Sequence, residues 1–212
     1  MKAFGGLVVL LGLAGGAAAA EPASWYMAGH VGVNNLDDWP AKVDFGGVEA
    51  NGKLGLKRGN HAGLMVGRET AHARYELEFG HGRIKIDSLE LSGIAEPGGQ
   101  RGHYDVVLAN IYRHDAVSAS LRVFGGIGIG WGRAKLPTLR FSSGCECLGP
   151  ASRGGLAYQG RLGLAYQVSP GNSISFQYSH LSLVGPRRGG TPSVEYGRRS
   201  FGALSGAYTR YF

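Results

Sequence analysis

LAYQGRLGLAYQV, residues 156–168, reads differently at its even and odd positions. The even positions hold Leu156, Tyr158, Gly160, Leu162, Leu164, Tyr166 and Val168. The odd ones hold Ala157, Gln159, Arg161, Gly163, Ala165 and Gln167. Successive side chains of an extended strand point to opposite sides, so a period of two marks a strand between two different environments. SPGN, 169–172, then has the composition of a tight turn. SISFQYSHL, 173–181, resumes the alternation, with Ile174, Phe176 and Tyr178 against Ser173, Ser175, Gln177 and Ser179.

Upstream, LRVFGGIGIGWGRA (121–134) puts Val123, Ile127, Ile129 and Trp131 on one face. Arg122, Gly126, Gly128, Gly130 and Gly132 fall on the other. The glycines do not complete a GxGxxG phosphate or dinucleotide loop, because Trp131 and Arg133 stand where a third Gly is needed. They read instead as small residues facing a crowded interior. Further strands are expected over 24–35, 61–69, 74–82, 104–113 and 200–212, which makes eight. In 74–82, Tyr75, Leu77 and Phe79 oppose Arg74, Glu76 and Glu78; for 104–113 the outward face stays open.

The connections alternate in length. Long ones cover 36–60, 83–103, 133–155 and 183–199; short ones cover 70–73, 114–120 and 169–172. Short turns at one end, long loops at the other and an even strand count define an all-β, eight-stranded, antiparallel up-and-down transmembrane β-barrel. A closed barrel satisfies its backbone hydrogen bonds internally and leaves no free edge. At this strand number the interior is just wide enough for side chains to fill it. Arg122, Arg161, Glu76 and Glu78 are expected to pair inside, and the lumen to be plugged. Trp25, Tyr26, Tyr75, Trp131, Tyr158 and Tyr166 are expected to form the interfacial girdles.

Residues 1–20 read as a signal peptide: Lys2, an apolar core and a small-residue run, Ala17–Ala20. The core, residues 7–13, is too short to span a bilayer as a helix. Residues 21–212 are then one domain, exported and expected in a Gram-negative outer membrane. The formal net charge is +7, which in an exported protein points to acidic lipid headgroups or sugars and not to nucleic acid.

SWYMAGHVGVNN (24–35), YELEFGHGRIKIDSLELSG (75–93), LRVFGGIGIGWG (121–132), LAYQGRLGLAYQVSPGNSISFQYSHL (156–181) and GAYTRYF (206–212) resemble, in order, strands of the opacity/surface-antigen group of eight-stranded outer-membrane barrels. The resemblance covers nearly all of the mature chain. It implies insertion by the barrel-assembly machinery and a role in surface interaction, adhesion or envelope integrity. No single activity transfers with it; no residue is read as catalytic, no cofactor is expected, and the chain is expected to be a monomer with a host or surface ligand as a partner. The resemblance also implies an assembly signal at the C-terminus, carried here by Tyr208 and Phe212. The chain departs from the group at Arg210, where an aromatic is usual, and at Tyr178-Ser179-His180.

That second departure creates His180-Leu181-Ser182, similar to the His-x-Ser motif of outer-membrane lipid A deacylases. In strand phase His180 and Ser182 both face lipid near the outer rim, as the base and nucleophile of an esterase would, with Glu195 placed to orient the His. The deacylase motif continues with an Asn, and here Leu183 follows. A small-solute channel is a second alternative. Arg187, Arg188, Arg198 and Arg199 crowd one long loop and suit lipopolysaccharide phosphates. Cys145 and Cys147, the only cysteines, are expected to form a disulfide clip in the third long loop, given an oxidising exterior. No metal-ligand spacing occurs among the seven His residues.

Overall fold

The computed structural model describes residues 24–212; the leader expected over 1–20 lies outside them. It contains β1 (Ser24–Asn35), β2 (Trp39–Asp44), β3 (Glu49–Lys57), β4 (Gly59–Glu69), β5 (Ala73–Leu91), β6 (Ile94–Pro97) and β7 (Arg101–Ala116). These are followed by β8 (Leu121–Leu136), β9 (Ala151–Ser169), β10 (Asn172–Leu183), β11 (Arg187–Arg188), β12 (Ser193–Tyr196) and β13 (Arg199–Tyr211). Eight of them close a ring of antiparallel pairs: β1–β4–β5–β7–β8–β9–β10–β13, and back to β1. The seam is regular from Tyr26↔Tyr211 to Asn35↔Gly202.

The three short turns sit at the end that also carries both termini of the described chain. Backbone hydrogen bonds close two of them, Thr70 N–H to Ala73 O at 2.8 Å and Val117 N–H to Leu121 O at 2.8 Å. The third turns at Gly171 with φ of 79°, a left-handed conformation that favours glycine.

At the other end the expected long loops are largely strand. β5 runs on to Leu91 and β7 starts at Arg101, so most of 83–103 extends the wall, and β6 folds back on β5. The 36–60 connection holds the β2–β3 hairpin, and 183–199 holds β11 and β12. Four strands, β5, β7, β8 and β9, therefore run the full height. On the opposite side β1, β4, β10 and β13 stop, and β11–β12–β2–β3 take over as far as β5, with β11 packed beside β9. The result is a second storey stacked on the first.

Side chains obey the two-residue period. Val123, Ile127, Ile129 and Trp131 of β8, and Leu156, Tyr158, Leu162, Leu164 and Tyr166 of β9, are exposed on the outer surface. In β7 Val107, Ala109 and Ile111 point outward, while Val106, Leu108, Asn110 and Tyr112 are buried, which fixes the face the sequence left open. The β8 glycines face inward against the neighbouring strands. A Cβ at Gly126 or Gly130 would collide with the carbonyl oxygen of Ile111 or Val107, and one at Gly128 with Oδ1 of Asn110.

Candidate functional site

The interior of the lower storey is a polar network held by four strands, β1, β5, β7 and β9. Inward phase on β5 places Arg74, Glu76 and Glu78 in a column, and β9 sends Gln159 and Arg161 across to it. Arg161 Nη2 lies 2.7 and 2.8 Å from the Glu78 oxygens, and Nη1 lies 3.6 Å from Glu76. Arg74 Nη2 donates to Glu76 at 2.6 Å. Asn110 Nδ2 bridges both carboxylates at 3.1 and 2.9 Å, and Gln159 Nε2 donates to Glu78 at 2.7 Å. His30 Nε2 stands 3.3 Å from Glu78. Two carboxylates thus face two guanidinium groups, and the neutral amides take up remaining lone pairs. Paired and hydrogen-bonded charges of this kind are tolerated in a buried site where a lone one is not.

The expected partners Arg161, Glu76 and Glu78 meet here; Arg122 does not join them. It reaches Glu69 at 2.5 Å near the short-turn end, because its place on β8 is beside Ala165 and Ala116, below the network. Tyr26, expected in a girdle, is fully buried. Its hydroxyl donates to Glu76 at 2.9 Å and accepts from Arg74 Nε at 2.5 Å. Its even position puts it on the inward face of β1, opposite to Trp25 and Met27. The other five girdle candidates are outward and exposed, joined by Tyr208 and Tyr178.

The second storey is lined by apolar side chains. Ile84, Ile86, Tyr104, Val106, Leu108, Ala134 and Leu136 line the wall. They pack without a break against Trp39, Val43, Leu54, Leu139, Phe141, Leu148, Val194 and Tyr196 from the connections. The connections cover this end, so the space is a dry core and takes apolar residues. Tyr196 ties the cap with its hydroxyl to Leu148 O, and burial pushes its phenol well above the ordinary value. Below, a cavity of about 340 Å³ opens at the short-turn end, lined by Glu69, Arg74, His114, Arg122, Ser173 and Tyr211 among others.

The remaining candidate residues are dispersed. His180 is exposed on the outer surface of β10, but Ser182 is fully buried, and its Oγ has no hydrogen-bond partner. Ser182 is therefore not on an open lipid-facing surface as strand phase alone suggested. Glu195 lies on β12 and pairs with Arg153 at 3.4 Å. Among the described residues no hydrogen bond joins His180, Ser182 and Glu195. The loop arginines divide: Arg188 donates to the carbonyls of Gly149 and Pro192 at 2.6 and 3.0 Å, and Arg199 pairs with Asp37 at 3.5 Å. Arg187 and Arg198 stay exposed, Arg198 stacking 5.3 Å from the Tyr158 ring centre. Cys145 and Cys147 adjoin as a disulfide with Cα atoms 5.3 Å apart, and Cys147 is buried in the cap core. Tyr208 and Phe212 are outward; the Phe212 amide donates to Trp25 O at 2.9 Å, across the seam. Among the described residues no group of three or more His, Cys, Asp or Glu side chains is placed to hold a metal ion.

No protein-family model and no curated protein sequence matches the chain. Solved structures do. The chain is similar to Neisserial surface protein A, with TM-score 0.54 and 14% identity, over 91% of this chain and 100% of that one. It is similar also to the outer membrane protein OprG from Pseudomonas aeruginosa, with TM-score 0.59 and 13% identity, over 89% and 95% of the two chains. At these identities the likeness establishes the fold, a closed eight-stranded barrel.

Proposed function

We propose that the chain is an integral outer-membrane barrel of a Gram-negative bacterium, closed to solutes, non-catalytic, and built to present its folded cap outside the cell. Its role on this reading is surface interaction or adhesion, together with envelope integrity. The observation that carries it is the band of outward apolar side chains around the ring. On β8 this band runs from Val123 to Trp131. At ~3.4 Å per residue that is about 27 Å of strand, or roughly 20 Å of height at a tilt near 40°, close to the ~25 Å apolar band of such barrels. Water does not solvate a surface of this size comfortably, and hydrocarbon does. A surface protein and an outer membrane protein share the fold. The filled lower storey and dry upper core favour a closed barrel over a channel.

Purified protein reconstituted in planar bilayers should give no steady single-channel conductance, and unboiled samples should migrate differently from boiled ones. Steady conductance would replace this reading with a pore. The buried Ser182 and the absence of a His180–Ser182–Glu195 relay favour the non-catalytic reading. Incubation with lipid A should release no fatty acid, and Ser182→Ala should behave as the parent does.

A further inference from the structure

The outward faces of β5, β7 and β8 change character abruptly towards the cap. One row across the wall reads Phe79–Val107–Trp131–Leu156, all apolar and exposed. The next reads His81–Asp105–Arg133, the next Arg83–His103–Lys135, and the one after it Lys57–Lys85–Arg101. The six Lys and Arg side chains in these rows are exposed. Two carboxylates accompany them, and both are engaged: Asp105 with His81 at 2.7 Å and Asp87 with Lys57 at 2.6 Å. Among the described residues Arg83, Lys85, Arg101, Arg133 and Lys135 have no carboxylate within 4.0 Å; Arg133 Nε donates to Ser152 Oγ at 3.0 Å.

We propose that this wall binds phosphate groups of an anionic lipid headgroup, with Arg83, Lys85, Arg101, Arg133 and Lys135 as its cations. The proposal rests on the membrane reading above, which puts the apolar row in the outer hydrocarbon and the cations at headgroup height. Two features favour a bound anion over a merely solvated face. Lys85 stands directly opposite Arg101 and neither is paired with a carboxylate, and like charges facing across strands destabilise a sheet unless something neutralises them. The side chains also project from rigid paired strands, not from a loop. With strands ~4.8 Å apart and alternate residues roughly 7 Å apart, the three rows across three strands span about 10 by 14 Å, room for more than one phosphate. Its arginines can each chelate two phosphate oxygens.

The test uses the full-length protein and the variant carrying R83Q, K85Q, R101Q and K135Q, in phosphatidylcholine bilayers doped with fluorescent lipid A. One arm uses phosphorylated lipid A, one the enzymatically dephosphorylated lipid, and one adds inorganic phosphate in solution. The parent should concentrate the phosphorylated lipid at its surface, and the variant should lose this by about tenfold or more, as removal of several partly exposed ion pairs implies. The dephosphorylated lipid should not be concentrated, and inorganic phosphate at equal concentration should not displace the phosphorylated one. In zwitterionic detergent the variant should unfold at the same or a higher temperature than the parent, because repulsion is relieved; in the phosphorylated bilayer it should unfold at a lower one. Equal enrichment by parent and variant, enrichment of the dephosphorylated lipid, or displacement by inorganic phosphate would each overturn the proposal. If the parent does not insert at all, the membrane reading fails instead; insertion without lipid preference defeats only this site.

Discussion

Arg161 is the residue on which the lower storey depends. It is 5% exposed and holds Glu78 in a two-oxygen contact while its other amino group faces Glu76. Replacing it with Leu leaves Glu78 buried without its principal cation, a change that costs about 3–5 kcal/mol when one partner of a buried pair is removed. Urea unfolding in detergent should report a loss of that size for Arg161→Leu, and a stability within about 1 kcal/mol of the parent would show that the network is hydrated. The strand-phase reading of residues 74–78 and 156–168 put this pair inside. It did not reach Asn110, because 104–113 carries apolar residues on both faces and gives no phase. Tyr26 was misplaced because an aromatic near a strand end suits a girdle by type, while its even position and the burial of its hydroxyl against Glu76 decide otherwise.

At the scale of elements, alternation located every wall strand but not the strands' full lengths. The wall continues through Ile84 and Ile86 inward and Arg83 and Lys85 outward. Charged outward residues made that stretch look like loop, although the period of two is unbroken. The same signal, followed past the apolar rows, leads to the cation cluster. The shortest cap strands are too brief for such a signature to stand out: β11 is two residues and β12 four, and each is defined by tertiary pairing. One cap contact has a pH signature. The amide and the hydroxyl of Ser142 both donate to Glu96, which joins β6 to the 137–150 loop and holds the Glu96 carboxyl below its ordinary value. A depressed carboxyl pKa stabilises the folded contact above the ordinary Glu value of ~4.3 and loses it as pH falls through the depressed one. Amide exchange at Ser142, corrected for intrinsic rate, should therefore lose protection on acidification below about pH 4. Glu96→Gln should show no such step; an identical profile in both proteins would detach Ser142 from Glu96.

At the scale of the molecule, the chain closes on itself where β13 meets β1. Phe212 extends that seam by its amide bond to Trp25 and leaves its ring outside, 71% exposed. A ring so exposed contributes little to packing, so deletion of Phe212 should lower the amount of protein assembled in the outer membrane far more than the unfolding temperature of what is assembled. Normal membrane levels would remove Phe212 from the assembly signal. Closure and strand number were legible in the sequence, because alternate short and long connections require them. The two-storey interior was not, since the apolar core above the network is completed by Trp39 and Tyr196 from strands of only six and four residues and by Leu139 and Leu148 from the 137–150 loop.

The central claim, a closed barrel that faces hydrocarbon outside and is packed within, can be tested along a single strand. Nitroxide labels placed one at a time at the non-glycine positions from residue 121 to 135 of β8, in lipid nanodiscs, should be read for collision with oxygen and with a water-soluble nickel complex. Labels at 123, 127, 129 and 131 should favour oxygen, that at 124 should be shielded from both, and those at 133 and 135 should turn towards nickel. Equal access to nickel at 123, 127, 129 and 131 would contradict the account, because those side chains would then face water.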